Sequence, residues 1–214
     1  MEKEILENLK RALLDYNPED SAKWAKKAVE EKIDPVKAID ALIEAIRKVG
    51  DSFGKGECWL PDLIGAADAM QSAMPILERE IKRRGAKRES MGKVVIGSVF
   101  GDIHNIGKSM VTSLLTADGF EVIDLGIDIP TDKFVEAVKE YKADILAMSA
   151  LLTTTAPEGK VVIDRLKEVG LRDKVKVIIG GGAINARFAE SIGADGYDPT
   201  APGAVGLCRA LLGK

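Results

Sequence analysis

Apolar positions recur every three or four residues over the first 90 residues, and from Lys93 onward they gather instead into short β-branched runs separated by helical stretches. After Asp34, the residues Val36, Ile39, Ile43 and Ile46 mark one face of a helix, and after Pro61, Leu63, Ala67, Met70, Met74 and Leu77 do the same. Asn17-Pro18 and Asp34-Pro35 each set a capping side chain before a proline at the first helical position. Leu60-Pro61-Asp62 is a weaker start, because Leu60 has no side-chain acceptor. With helices at 3–15 and 18–31, the pattern predicts a four-helix bundle.

The second part predicts strands at 94–99, 121–125, 145–149 and 175–179, with a short one at 196–197. Helical patterns at 106–117, 131–141, 157–169, 185–192 and 201–212 alternate with them. Strand and helix in alternation, five times over, make a parallel sheet covered on both faces. Right-handed crossovers then favour a doubly wound, flavodoxin-like five-stranded parallel sheet in the order 2-1-3-4-5. Between the two parts, five of the seven residues 82–88 are basic and one is glycine, which reads as a solvated linker. The expected domains are 1–90 and 91–214.

Apolar residues make up 46% of the 214, enough for a buried core in each part. Lys and Arg total 31 against 34 Asp and Glu, and that lack of a basic excess argues against nucleic acid and anionic membrane as partners. The N-terminus is charged and has no uninterrupted apolar region, so no signal peptide is expected. No apolar run approaches the ~20 residues of a membrane span. Cys58 and Cys208 lie in unrelated contexts with no CxxC, consistent with a reducing, cytoplasmic setting.

Ligands of doubly wound sheets bind at the carboxyl ends of the strands, so the loops after strands 1, 3 and 4 matter most. The first contains His104, the only histidine of the chain, with Asp102 two residues before it and Gly107 three after. A carboxylate accepting one imidazole N–H leaves the other nitrogen's lone pair for a metal. Neither GxGxxG nor GxxxxGK[ST] is present, so no phosphate cradle is supported. The second loop begins Ser149-Ala150-Leu151-Leu152 and continues into three threonines; the third begins Gly180-Gly181-Gly182. Alone, the threonines read as a cap of the next helix and the glycines as a turn. What singles them out is that all three loops fall at adjacent strand ends.

Asp102-x-His104-x-x-Gly107, then Ser149-x-Leu151 after 41 residues, then the glycine run 28 residues later, resembles the cobalamin-binding signature DxHxxG…SxL…GG. The segment GKGECWLPDLIGAADAMQSAMPILE is similar to the helical cap of methionine synthase and of the small corrinoid proteins serving methanol, methylamine and glycine-betaine methyltransferases. The resemblance implies a stand-alone corrinoid protein that binds cobalamin base-off and carries a methyl group on its cobalt. It implies His104 as the lower axial ligand, oriented by Asp102, with Ser149 extending the hydrogen-bond relay. It implies a slot for the cofactor's tail lined by Gly107, Leu151, Thr153, Gly181 and Gly182, with the choice among Gly180, Gly181 and Gly182 open. It implies an apolar lid from Met70, Met74, Leu63 and Trp59, moving on a hinge at 82–92; relatives often carry an aromatic pair where this chain has Cys58-Trp59. The partners implied are a substrate-specific methyltransferase, a second one that passes the methyl group to tetrahydrofolate or a thiol cofactor, and a reductive activator. Other readings are the cobalamin subunit of a carbon-skeleton isomerase, a cobalamin sensor, and a flavodoxin-like domain without cobalt.

Overall fold

The computed structural model describes residues 1–84 and 90–214. The chain forms two compact units, one holding the first four helices together with Thr116–Gly119, the other comprising Ser90–Leu115 and Phe120–Lys214.

The helical unit contains α1 (Glu2–Leu14), α2 (Pro18–Glu30), α3 (Pro35–Gly54) and α4 (Leu60–Arg84). The two expected caps form: Asn17 Oδ1 accepts the Asp20 amide at 3.0 Å, and Asp34 Oδ1 accepts that of Val36 at 3.0 Å. At the third start Asp62 compensates for the missing cap by reaching back to accept the Trp59 amide at 2.7 Å, half of a capping box. α1 and α4 each pack on α2 and α3. Leu9, Leu13, Ile39, Leu42, Ile46, Leu63 and Leu77 are fully buried between them, each worth about 2 kcal/mol of transfer free energy. Met70 is also buried, Met74 is half-buried, and Trp59 is 76% exposed.

The expected linker begins later than its composition suggests, because α4 runs on to Arg84. Buried Glu80 accepts from Arg83 Nε and Nη2 and from Arg84 Nε, each at 2.7 Å. These bonds bring basic residues into the last turn, where the helix dipole favours them. Hydrogen bonds from Arg83 and then Arg84 pull the Glu80 carboxyl down to about 2 against the opposing effect of burial. The rest of the expected linker, 85–89, lies outside the described residues.

In the second unit, β1 (Lys93–Ser98), β2 (Glu121–Asp124), β3 (Ile145–Ser149) and β4 (Lys176–Gly180) form a parallel sheet in the order β2-β1-β3-β4. Between and after them run α5 (Ile106–Ala117), α6 (Thr131–Tyr141), α7 (Glu158–Glu168), α8 (Ala186–Ile192) and α9 (Ala201–Leu211). The expected fifth strand is not one: Gly196 makes a single parallel bridge to Ile178. The reason is local. The carboxylate of Asp195 takes the Val177 amide at 2.7 Å, where a strand carbonyl would have continued the ladder. Pro199 then brings no N–H, and the chain turns into α9 through the Thr200 cap. The order is otherwise that of a flavodoxin-like sheet.

Side-chain alternation divides the strands between two faces. Val95, Leu146 and Val177 join Phe134, Val162, Ile163 and Leu166 of α6 and α7 in one core. Ile96, Ala147 and Ile178, paired across three strands, line a cavity together with Met110 and Val111 of α5 and Ala204 and Leu207 of α9. Among the described residues no helix is long and apolar enough to cross a membrane.

Candidate functional site

The sheet register brings the three singled-out loops together. Ser98 pairs with Ser149, and Ser149 with Gly180, so β1, β3 and β4 end side by side. Just beyond, Gly101 turns the chain with φ of +79°, and Asp102 closes a local turn on His104. Asp102 Oδ1 accepts the His104 amide at 3.0 Å and lies 2.9 Å from His104 Nδ1. An Asx-type turn therefore aligns the two side chains.

Asp102 is 1% exposed, yet it is fully satisfied. Its Oδ2 accepts the Leu151 amide at 2.8 Å, the Leu152 amide at 3.4 Å and the Thr155 hydroxyl at 2.7 Å. Burial pushes its carboxyl up, but the Thr155 hydroxyl, the His104 and Leu151 amides and the imidazole outweigh burial and hold it well below the usual carboxylate range. The ionised carboxylate keeps the proton of His104 on Nδ1 and directs the lone pair to Nε2. The imidazole is half exposed beside the cavity, which has a volume of about 670 Å³.

The hydroxyl expected from Ser149 is supplied by Thr155. Ser149 lies at the strand end and lines the cavity, but the hydroxyl that reaches Asp102 is six residues further on. The sequence did carry a signal in the Thr153-Thr154-Thr155 run, whose last member is buried while the first two are exposed. Thr153, expected in the slot, is not among the cavity residues; Gly107, Leu151, Gly181 and Gly182 are. Met70 and Met74 belong to the helical unit. Sequence reasoning also missed Lys108. Its ammonium is buried beside the cavity and donates to Asp124 Oδ1 at 2.7 Å, tying the first turn of α5 to the end of β2.

The three glycines after β4 have different reasons to be glycine. At Gly181, φ is +120° and a Cβ would lie 2.1 Å from the Ala150 carbonyl oxygen, so this residue shapes the turn. A Cβ at Gly182 would meet the Leu151 side chain at 2.8 Å. At Gly180 and at Gly107 a Cβ would meet nothing within 4 Å; both line the cavity and leave their space open.

The donor set bears on which metal could bind here. Among the described residues no three His, Cys, Asp or Glu side chains are grouped to hold an ion. A single imidazole with a free Nε2 suits a metal that arrives already equatorially ligated in a macrocycle, and an imidazole nitrogen suits cobalt. The apolar cavity beside it, kept open by bare backbone at Gly107 and Gly180, has room for a flat heterocyclic appendage. These residues fit a corrinoid.

Comparison with known proteins agrees. A B12 binding domain model matches residues 92–205, and a second B12 binding domain model matches residues 5–78. A corrinoid protein of Desulfitobacterium hafniense is 44% identical over 212 residues, with 98% of each chain covered. The trimethylamine corrinoid protein of Methanosarcina barkeri is 41% identical over 210 residues, covering 98% of this chain and 97% of that one. A methanol:cobalamin methyltransferase complex from the same organism contains a chain that superposes with a TM-score of 0.83 at 32% identity, covering 98% of this chain and 80% of that one. A lone, carboxylate-oriented imidazole over an open apolar cavity, and full-length likeness to proteins that carry cobalamin, lead to one conclusion: this chain belongs to the B12-binding corrinoid proteins of methyltransferase systems.

Proposed function

We propose that this protein is a methyl carrier that holds cobalamin through His104 Nε2, with the cofactor's tail in the cavity lined by Gly107, Gly180, Ile96, Ala147 and Ile178. The observation that carries the reading is the His104–Asp102 pair, 2.9 Å apart, set at the mouth of that cavity. Bound cobalamin supplies a cobalt that accepts a methyl group and passes it on.

The chain's own part is to present, hold and orient the imidazole. With Asp102 ionised, Nδ1 keeps its proton and Nε2 is a donor. With the cofactor bound, Nε2 would hold the cobalt and the Nδ1–H would stay directed at Asp102, which orients the ring. Without the cofactor, Nε2 would face solvent while the Nδ1–H stays on the Asp102 carboxylate. The Thr155 hydroxyl and the Leu151 amide keep Asp102 charged through both states. The helical unit is read as the cofactor's shield; of its four expected apolar side chains, Trp59 and Met74 are the accessible ones.

A methylated amine is the favoured methyl donor, because relatives named for trimethylamine and dimethylamine are 41% and 40% identical over 210 residues. The partners are then an amine-specific methyltransferase, a second methyltransferase serving a thiol or tetrahydrofolate acceptor, and a reductive activator. That a structural relative is known in a methanol:cobalamin methyltransferase complex supports a methyltransferase as the first partner, and the amine specificity rests on the named relatives.

The test loads the apo-protein with hydroxocobalamin and records the electron paramagnetic resonance of the Co(II) state with 15N-labelled histidine. Because His104 is the only histidine, an isotope-sensitive splitting identifies it directly. A spectrum with the cofactor's own benzimidazole on cobalt overturns the reading. Methyl transfer with trimethylamine, dimethylamine and methanol methyltransferases then separates the donors; turnover with methanol alone would leave the carrier in place and remove the amine.

A further inference from the structure

The loop that carries His104 is braced from outside by a segment that none of the signature motifs includes. Asp128 lies in the connection between β2 and α6 and has φ of 55°, a left-handed conformation that Asp and Asn tolerate and most residues resist. Its Oδ1 accepts the Gly101 amide at 2.7 Å, and its own amide donates to the Asp102 carbonyl at 2.9 Å. Gly101 is itself left-handed, so two tight turns interlock through a reciprocal pair of hydrogen bonds. Behind them, buried Ser98 donates its hydroxyl to the His104 carbonyl at 2.8 Å. The Ser98 amide and carbonyl bond Gly126 and Ile129 of the same connection, each at 3.0 Å. The backbone on either side of Asp102 and His104 is thus held from the neighbouring loop.

We propose that Asp128 is a positioning residue for the axial histidine. It does not touch the imidazole; it fixes the 101–104 turn so that the half-exposed ring keeps its Asp102 partner and its Nε2 direction. The assignment rests on the reading of His104 as the cobalt ligand. The chemistry of the side chain makes it separable. Asn at position 128 keeps both the left-handed tolerance and the Oδ1 acceptor, whereas Gly keeps the conformation and loses the acceptor.

The experiment compares Asp128→Gly and Asp128→Asn with the unmodified protein, in the apo state and loaded with hydroxocobalamin. In the apo state the ring nitrogens of His104 give one pair of 15N signals. They are expected to report a single Nδ1–H tautomer in the unmodified and Asn proteins and a tautomer mixture in the Gly protein. Exchange of the Gly101 amide is expected to quicken about tenfold in Asp128→Gly, as for loss of one ordinary hydrogen bond. In the loaded Co(II) state, the form without histidine on cobalt becomes about tenfold more populated in Asp128→Gly and returns to normal in Asp128→Asn. Unchanged ring shifts and unchanged ligation in Asp128→Gly overturn the proposal, as does an Asn protein as disturbed as the Gly one. If the unmodified protein itself shows no histidine on cobalt, the functional reading fails instead. Should Asp128→Gly not fold, the unmodified protein decides: a Gly101 amide exchanging at the rate of an open loop removes the brace.

Discussion

The hydroxyl of Thr155 donates to Asp102 Oδ2 at 2.7 Å, joining the loop after β3 to the loop after β1 across 53 residues of sequence. Together with the Leu151 amide it turns a buried carboxylate into a satisfied one, and so holds in place the acceptor that the imidazole meets at the other oxygen.

Thr155→Val removes that donor while keeping the shape. The buried carboxylate is left one hydrogen bond short, at a cost of about 1–3 kcal/mol near neutral pH. Thr155→Ser is expected to retain most of the stability. The pH dependence follows from the sign of the shift. The folded Asp102 carboxyl titrates below its unfolded value, so its contribution is present above about pH 4 and is lost as pH falls through the folded value. Urea unfolding of the two proteins is therefore expected to differ at pH 7 and to converge in acid. A difference that persists undiminished at low pH would point to packing instead.

Gly181 and Gly180 are expected to answer differently to alanine. Gly181→Ala forces a Cβ against the Ala150 carbonyl at a left-handed φ and is expected to destabilise by about 3 kcal/mol or more. Gly180→Ala meets no atom within 4 Å and is expected to fold normally, with weaker uptake of cobalamin because the added methyl occupies the cavity. Thermal melting and a cobalamin titration of each variant distinguish the two.

Ser21→Ala tests the helical core. Ser21 is fully buried in α2, and its hydroxyl has no hydrogen-bond partner among the described residues. Replacing it removes an unsatisfied group and improves helix propensity, for a gain of about 1 kcal/mol. A shift of the urea midpoint to higher concentration with an unchanged slope is the expected result; a lower midpoint would show that the hydroxyl is satisfied.

Glu80→Gln removes the charge that gathers Arg83 and Arg84 at the end of α4. Because the folded carboxyl is pulled down to about 2, its contribution is complete above its ordinary range and disappears as pH falls toward that value. The melting temperature of Glu80→Gln is therefore expected to lie below that of the unmodified protein at pH 7 and to approach it near pH 2. Equal melting temperatures at pH 7 would show that the arginines hold the helix end without help.

The elements were legible along the chain because each depends on neighbours in sequence. The caps at Asn17 and Asp34 are settled within four residues, and the 145–149 strand opens with four apolar residues in a row that can only be buried. The start of the linker and the fifth strand were misread for the opposite reason. Glu80 holds the basic residues in a helix that composition alone would have ended, and the Asp195 side chain occupies a ladder position that an apolar pattern cannot report.

The sequence by itself determined at which strand ends a ligand site is expected and which residue is proposed to carry it. One histidine, one carboxylate two residues before it, and three unusual loops in a strand-helix alternation admit few arrangements, because a parallel sheet puts all those loops at one edge. Only the tertiary structure decided which hydroxyl serves Asp102, which glycine shapes the turn and which leaves space, and that Asp128 clamps the histidine loop. These depend on register and on the direction of single bonds between loops distant in sequence. A spacing pattern records that Ser149 and Thr155 are both near β3, but only the fold determines which of them faces the carboxylate.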